Sequence, residues 1–96
     1  MNPKDLERRS KSAATLLKAL GNETRLKILC QLIQGEKNVG ELDKIVDLGQ
    51  SALSQHLAVL RNENLVTTRR EKQTIYYAIN GPETHAILET LHRVFS

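Results

Sequence analysis

The sequence contains one cysteine, two prolines, five glycines and no tryptophan in 96 residues. A single thiol cannot close a disulfide within one chain, so Cys30 excludes a disulfide-stabilised scaffold. No apolar run is long enough to cross a membrane, and residues 1–5 lack the apolar stretch of a signal peptide, so we expect a cytoplasmic protein with no membrane contact. No linker-like stretch or internal repeat divides residues 1–96, which are therefore expected to form one domain.

Signals of catalysis are also missing. Ser54 and His56 stand two positions apart and so point to different faces of a helix, and no acidic residue pairs with His56 in the sequence. No glycine-rich phosphate loop and no cluster of metal-ligating residues occurs. We therefore predict that the protein is not an enzyme and has no cofactor.

The positive charge is concentrated in two blocks of the chain, which has a net charge of +3. Residues 1–27 carry seven basic and three acidic residues, and residues 50–73 carry four and two. The second block also holds polar side chains that can contact DNA, so we predict that the partner is double-stranded DNA. An exposed helix face would explain the first block equally well.

Apolar residues recur at helical spacing through most of the chain, and the pattern changes to that of strands after residue 64. Helices are expected from about Lys4 to Leu20, from Asn22 to Gly35, from Asn38 to Val46, from Gln50 to Asn64 and from Pro82 to Ser96. Residues 65–70 and 74–79 predict two strands joined by a turn over 71–73. The expected fold is mainly α with a β-hairpin: a helix-turn-helix over 38–64 followed by a two-stranded wing over 65–79.

The fourth predicted helix combines an apolar face with small polar side chains in its first two turns. Such side chains at a helix N-terminus can bind phosphates and base edges in the major groove. The candidates are Gln50, Ser51, Ser54 and Gln55 for bases or phosphates, and Arg61 for the DNA backbone. His56 is a further candidate, with a buried or capping role as the alternative. In the wing, the candidates for phosphate or minor-groove contacts are Arg69, Arg70, Lys72 and Gln73.

The first and last predicted helices carry more apolar surface than a small monomer would leave exposed. The residues concerned are Leu6, Leu16 and Leu17 in the first helix and Ile87, Leu88, Leu91, Val94 and Phe95 in the last. We predict that residues 1–20 and 82–96 form the interface of a homodimer. The alternative is that the last helix packs only on its own domain.

Four segments of the sequence resemble the ArsR/SmtB family of dimeric winged-helix regulators. They are residues 17–29, Gly40-Glu41-Leu42, residues 51–61 with the pattern S-x-L-S-Q-H-L-x-x-L-R, and Tyr76-Tyr77. The resemblance covers nearly the whole chain and implies dimerisation through the first and last helices, DNA binding by the fourth helix and wing, and an inducer that weakens DNA binding. A symmetric dimer would bind an inverted-repeat operator with its recognition helices about 34 Å apart.

The metal sites of that family fit this sequence poorly. The site on the third helix needs a Cys-x-Cys pattern of soft thiolate ligands, and residues 39–43 contain no cysteine. The last helix offers only weak candidates, without the family's Asp-x-His pair; they are His85, Glu89 and His92. No metal site is therefore predicted.

The segment around Cys30 resembles the BigR/SqrR/HlyU-type subgroup, which responds to persulfides and other thiol oxidants. The subgroup has one cysteine in the second helix, within an Ile-Leu-Cys context, and a second near the end of the last helix. Cys30 matches the first, whereas Ser96 stands at about the position of the second. A lone Cys30 can be oxidised or persulfidated but cannot form a bridge within one protomer, so either Ser96 replaces a cysteine or this member has lost the response. Without the resemblance, Cys30 would be interpreted as a buried small apolar residue.

These observations together predict a sequence-specific DNA-binding transcriptional regulator. The preferred hypothesis is a repressor whose operator affinity is controlled by a small oxidant or persulfide acting on Cys30. The alternatives are a metal-responsive repressor and an antirepressor that acts by protein–protein competition on DNA. A binding affinity that falls steeply with salt would favour direct DNA binding over the last alternative.

Overall fold

The computed structural model describes residues 2–96, so Met1, which the predicted first interface segment includes, lies outside the described residues. Its elements follow in the order α1 (Pro3–Leu20), α2 (Glu23–Leu32), β1 (Lys37–Asn38), α3 (Val39–Val46), α4 (Gln50–Asn62), β2 (Val66–Glu71), β3 (Thr74–Ile79) and α5 (Pro82–Phe95). This arrangement is a winged helix-turn-helix, which confirms the predicted fold class. Within the described range, no helix is both long and apolar enough to reach across a bilayer.

Asparagine side chains begin three of the helices. Asn2 caps α1, and the Asn22 Oδ1 accepts a hydrogen bond of 3.0 Å from the backbone N–H of Arg25 in α2. At α3, the Asn38 Oδ1 accepts from the Glu41 N–H at 2.9 Å, and the Glu41 Oε1 accepts from the Asn38 N–H at 3.0 Å. These bonds satisfy N–H groups that the first helical turn leaves unpaired, so they determine where each helix starts.

The sheet has three strands, one more than the sequence predicts. β1 pairs antiparallel with β3, and β3 pairs antiparallel with β2, so the strand order is β1-β3-β2. β1 consists only of Lys37 and Asn38, which lie opposite Tyr77 and Tyr76. A two-residue polar segment carries no strand pattern of its own, so only its pairing in the folded protein defines it.

The turn of the wing is shorter than predicted. Glu71 pairs with Thr74, so it is the last residue of β2, and only Lys72 and Gln73 connect the strands. Lys72 has a φ of 56°, in the left-handed region that a residue with a side chain adopts at some cost. The prediction of a three-residue turn over 71–73 is therefore wrong by one residue.

The core lies where α2, α3, α4 and α5 meet the wing. Its buried apolar residues are Ala19, Leu20, Ile28, Leu29, Leu32, Leu42, Leu53, Leu57, Leu60, Leu65, Val66 and Leu88. Leu88 is fully buried within the protomer, so its assignment to the dimer interface is wrong. Leu16 and Ile87, two other predicted interface residues, are partly buried and pack against the same core. The inner face of α5 thus packs on its own domain.

α1 contacts the rest of the protomer mainly through its last turn. Of its 18 residues, only Ala19 and Leu20 are buried. The Arg25 Nε donates to the Ala19 carbonyl at 2.6 Å, and the Arg25 Nη2 donates to the Lys18 carbonyl at 3.3 Å, which fixes the junction with α2. The remaining length of α1 is largely exposed on the protomer surface.

Candidate nucleic-acid-binding surface

A tight turn between α3 and α4 sets the direction of α4. Asp47 ends α3 with a φ of 48°, and Gly49 precedes α4 with a φ of 88°, a conformation that glycine adopts without steric cost. No side chain caps α4, so its first backbone N–H groups lack a side-chain partner. Such groups carry partial positive charge and can bind a phosphate.

α4 has one buried face and one polar face. Leu53, Leu57 and Leu60 are buried, which fixes the rotation of the helix about its axis. The polar residues of the first two turns are all exposed: Gln50, Ser51, Ser54 and Gln55. At about 100° per residue these four positions fall within one arc of the helix. The structure therefore brings four predicted DNA-contacting residues together beside the uncapped N-terminus.

His56 lies outside that polar arc, whereas Arg61 lies on the same side of α4 three turns further along the helix. His56 is half-buried, and its predicted contact with DNA stays a prediction. Arg61 is exposed in the last turn of α4. It lies about 16 Å along the helix axis from Gln50 at 1.5 Å per residue, so any phosphate it binds differs from those at the helix N-terminus.

Two cations at the tip of the wing are available to a ligand. Arg70 and Lys72 are exposed, as is the neighbouring Gln73. The Arg70 Nε donates to the Lys72 carbonyl at 3.1 Å, which orients its guanidinium. Neither side chain takes part in an ion pair with another residue of the described chain.

Arg69, the third predicted wing cation, is already engaged by the protein. Its Nε donates to the Glu36 Oε2 at 3.1 Å, its Nη2 donates to the Glu36 Oε1, and its Nη1 donates to the Glu71 Oε2 at 3.0 Å. The guanidinium also lies over the ring of Tyr76, 4.6 Å from the ring centroid. Arg69 therefore differs from Arg70 and Lys72 in being paired with acidic residues, and its predicted contact with DNA stays a prediction.

The ion pair shifts the titration of both partners. The hydrogen bond from Arg69 holds the pKa of the Glu36 carboxyl below its usual value, and the bonds to Glu36 and Glu71 raise the pKa of Arg69. Both groups are thus charged together over the whole physiological pH range. Sequence reasoning missed Glu36, because an acidic residue in a connecting segment looks the same whether it is solvated or paired.

Cys30 lies at a groove between α2 and α5. Its side chain is exposed within the protomer, so its interpretation as a buried apolar residue is wrong. The groove has a volume of about 780 Å³ and is lined on one side by Cys30, Ile33 and Gln34 and on the other by Glu89, His92 and Arg93. The predicted sensor thiol therefore faces the C-terminal half of α5, the helix that Ser96 follows.

The weak metal candidates lie along α5. The His85 Nδ1 is 3.3 Å from the Glu89 Oε1 one turn further on, and His92 borders the groove beside Cys30. Within residues 2–96, no group of three or more His, Cys, Asp and Glu side chains is placed to hold a metal ion. The arrangement supplies one contact between His85 and Glu89 on an exposed helix face.

Exposed apolar side chains are found on α1 and at the end of α5. Leu6 and Leu17 of α1 are 55% and 61% exposed, and Val94 and Phe95 of α5 are 65% and 82% exposed. Leu91 is half-buried. Large apolar side chains exposed to this degree mark a surface that another protein surface can cover.

Comparison with known proteins identifies the family. Residues 22–68 match the family model described as bacterial regulatory protein, arsR family. The chain is 50% identical over 95 residues to the transcriptional activator HlyU of Vibrio cholerae serotype O1, an alignment that covers 99% of this chain and 88% of that protein. The chain belongs to the ArsR family.

Solved structures agree with membership of the ArsR family. Reduced HlyU from Vibrio cholerae N16961 matches with a TM-score of 0.91 at 50% identity, over 96% of this chain and 97% of that one. The transcriptional repressor BigR from Xylella fastidiosa matches with a TM-score of 0.87 at 38% identity, over 100% and 98%. A homodimeric winged helix-turn-helix DNA-binding domain from Mycobacterium bovis matches with a TM-score of 0.87 at 29% identity, over 98% and 86%.

These matches confirm the resemblance to HlyU-type and BigR-type regulators. As a member of the ArsR family, the chain is a DNA-binding transcriptional regulator and not an enzyme. HlyU is described as an activator and BigR as a repressor, so family membership leaves the direction of regulation to experiment.

Proposed function

We propose that this chain is a homodimeric repressor that binds an inverted-repeat operator through α4 and the wing, and that oxidation or persulfidation of Cys30 lowers its affinity for the operator. The observation that carries the DNA-binding surface is the exposed polar arc of α4, which adjoins an uncapped helix N-terminus and is fixed in place by three buried leucines. In this proposal the arc enters the major groove, and Arg70, Lys72 and Gln73 contact the neighbouring backbone or minor groove.

The exposed apolar faces of α1 and α5 support the homodimer. Leu6 and Leu17 on one helix and Val94 and Phe95 on the other are the predicted interface residues that stay exposed in the protomer. A twofold axis through these helices would present two copies of α4, and two recognition helices about 34 Å apart require a symmetric operator. The proposed domain organisation follows: one domain with dimerisation helices at both ends, acting on DNA in the cytoplasm.

The position of Cys30 supports control by a thiol-reactive inducer. The Cys30 thiolate attacks the outer sulfur of an organic persulfide; an S–S bond to Cys30 forms, the S–S bond of the donor breaks, and a thiol leaves. The added sulfur occupies the groove against α5, the proposed dimerisation helix, and so changes how the two DNA-binding halves are spaced. A coupling of about 1–3 kcal/mol would lower the operator affinity about 5- to 150-fold.

The DNA-binding part is tested by fluorescence-anisotropy titration of a labelled duplex, recovered by in vitro selection with the full chain. We expect the affinity to fall steeply with salt, and Gln55→Ala to weaken it by about 1–3 kcal/mol because a contact with a base edge is lost. Gln34→Ala removes another exposed amide, outside α4 and the wing, and should leave the affinity unchanged. Salt-independent binding, or equal effects of the two variants, would contradict the proposed surface.

The inducer part is tested by repeating the titration after treatment with glutathione persulfide. Ser96→Cys supplies the missing second thiol, which displaces hydrosulfide from persulfidated Cys30 and closes a disulfide. We expect the treated unaltered chain and the treated Ser96→Cys protein both to lose affinity, and a Cys30→Ser/Ser96→Cys double variant to retain it. An unchanged affinity of the unaltered chain with Cys30 persulfidated would contradict control by Cys30 alone. An unchanged affinity of treated Ser96→Cys protein with the disulfide formed would remove thiol control from the proposal and leave DNA binding intact.

A further inference from the structure

We propose that Arg69 is a positioning residue of the wing, held by Glu36 and Glu71, and that Arg70 and Lys72 supply the wing cations that bind DNA phosphates. The inference rests on the proposed function, because it divides the roles of three wing cations within the same DNA-binding surface. It assigns different roles to Arg69 and to its sequence neighbour Arg70, although both are basic and both are exposed.

All three nitrogens of the Arg69 guanidinium already donate to carboxylates. Glu36 accepts from Nε and Nη2 in a two-pronged pair, and Glu71 accepts from Nη1. Paired forks of this kind are the strong form of the arginine–carboxylate interaction. Three of the five guanidinium N–H groups are therefore engaged, and a phosphate would have to compete with both acids for Arg69.

The local charge also opposes contact between Arg69 and phosphate. Arg69 lies between two carboxylates, so the cluster of Glu36, Arg69 and Glu71 has one more negative than positive charge. Freeing Arg69 would leave Glu36 and Glu71 unpaired beside the DNA backbone, where like charges repel. Arg70 and Lys72 face no such competition.

The same cluster connects the wing to the helix-turn-helix. In the sheet, Tyr76 lies opposite Arg69 of β2 on one side and opposite Asn38 of β1 on the other. Asn38 caps α3, the helix that precedes α4, and Glu36 stands two residues before it. Arg69 stacks on the Tyr76 ring and binds Glu36, so it joins β2 to the segment that starts the helix-turn-helix. Loss of this link would leave the orientation of the wing relative to α4 less fixed, without removing a phosphate contact.

The test measures operator affinity across a salt series with the selected duplex, for the full chain and its variants. Glu36→Gln makes the protein more positive, yet positioning predicts binding about two- to fivefold weaker, with the salt slope unchanged. Glu63→Gln has the same charge change on an exposed residue at the end of α4, and should not weaken binding. Arg70→Gln should lower the salt slope by about one, as the loss of one phosphate contact requires.

Arg69 variants distinguish a positioning role from direct phosphate binding. Arg69→Gln should weaken binding as much as Glu36→Gln does, with no change in salt slope, and the double variant should be no weaker than either single one. Arg69→Lys keeps the charge but cannot make the planar fork, so a positioning role predicts that it fails to rescue binding. Circular-dichroism melting checks that each variant is folded.

Two outcomes overturn the inference. If Arg69→Gln lowers the salt slope by about one and Arg69→Lys restores binding, Arg69 is a phosphate contact. If neither Glu36→Gln nor Arg69→Gln changes the affinity, the cluster has no role in DNA binding. Failure of the unaltered chain to bind DNA in a salt-dependent way would instead overturn the proposed function itself.

Discussion

Asn38 serves two elements of the fold at once. Its side chain caps α3 in a reciprocal bond with Glu41, and its backbone belongs to β1, which pairs with β3 at Tyr76. The helix after Asn38 was predicted from its apolar spacing, and the structure adds the reciprocal cap that starts it. The strand at Asn38 was not predicted, because its pairing depends on where β3 lies in space.

Asn38→Ala is expected to destabilise the protein by about 1 kcal/mol, because the cap on the Glu41 N–H is lost. Urea unfolding measures the change. Asn62→Ala is the matched control, since Asn62 is an exposed residue in the last turn of α4. A loss as large in the control as in Asn38→Ala would mean that the capping bond is not the cause.

Leu88 and Cys30 show what a residue pattern leaves undecided. Both occupy helices whose apolar period was predicted correctly, yet Leu88 is fully buried in the protomer and Cys30 is exposed. A helical pattern identifies an apolar stripe, but which edge of the stripe meets the core depends on how the neighbouring helices pack.

At the scale of an element, an ion pair helps to hold the wing in place. Glu36, outside the hairpin, pairs with Arg69 inside it, and the hydrogen bond from Arg69 lowers the pKa of the Glu36 carboxyl. A carboxyl whose pKa is lower in the folded than in the unfolded chain stabilises the fold fully above the ordinary glutamate pKa. That contribution is lost as the pH falls through the lowered folded pKa.

We therefore expect the link between Glu36 and Arg69 to persist at neutral pH and to be released only in acid. Carbon-detected NMR titration of the Glu36 side-chain carboxyl should give a midpoint below the usual glutamate value. In Arg69→Gln the midpoint should return toward that value, because the hydrogen bond that lowers it is gone. The same midpoint in both proteins would show that Arg69 does not hold Glu36 in solution.

At the scale of the whole molecule, the proposed homodimer depends on the exposed faces of α1 and α5. Leu17 and Phe95 are largely exposed in the protomer, whereas α5 buries Leu88 in the core of its own domain. The inner face of α5 thus packs on its own domain, and the contact of its exposed outer end with a second copy stays a prediction. A stable interface of this kind is expected to bury more than about 1,000 Å² in total.

Leu17→Glu and Phe95→Glu are each expected to convert the proposed dimer into a folded monomer, because a charge is placed in the proposed apolar interface. Light scattering coupled to size exclusion measures the mass, and circular dichroism checks the fold. Leu48→Glu is the matched control, since Leu48 is 42% exposed in the turn before α4. Dimers that survive both α1 and α5 variants would place the interface elsewhere.

The sequence alone determined the five helices, the hairpin and the exposed polar residues of α4, because helix caps, apolar period and turn residues act over a few positions. It also carried the family resemblance that the comparisons confirmed. Only the tertiary structure decided that β1 exists, that Leu88 is core, that Cys30 faces α5, and that Arg69 is held by Glu36. Each of these depends on contacts between residues distant in the sequence, and such contacts follow from how the elements pack against one another.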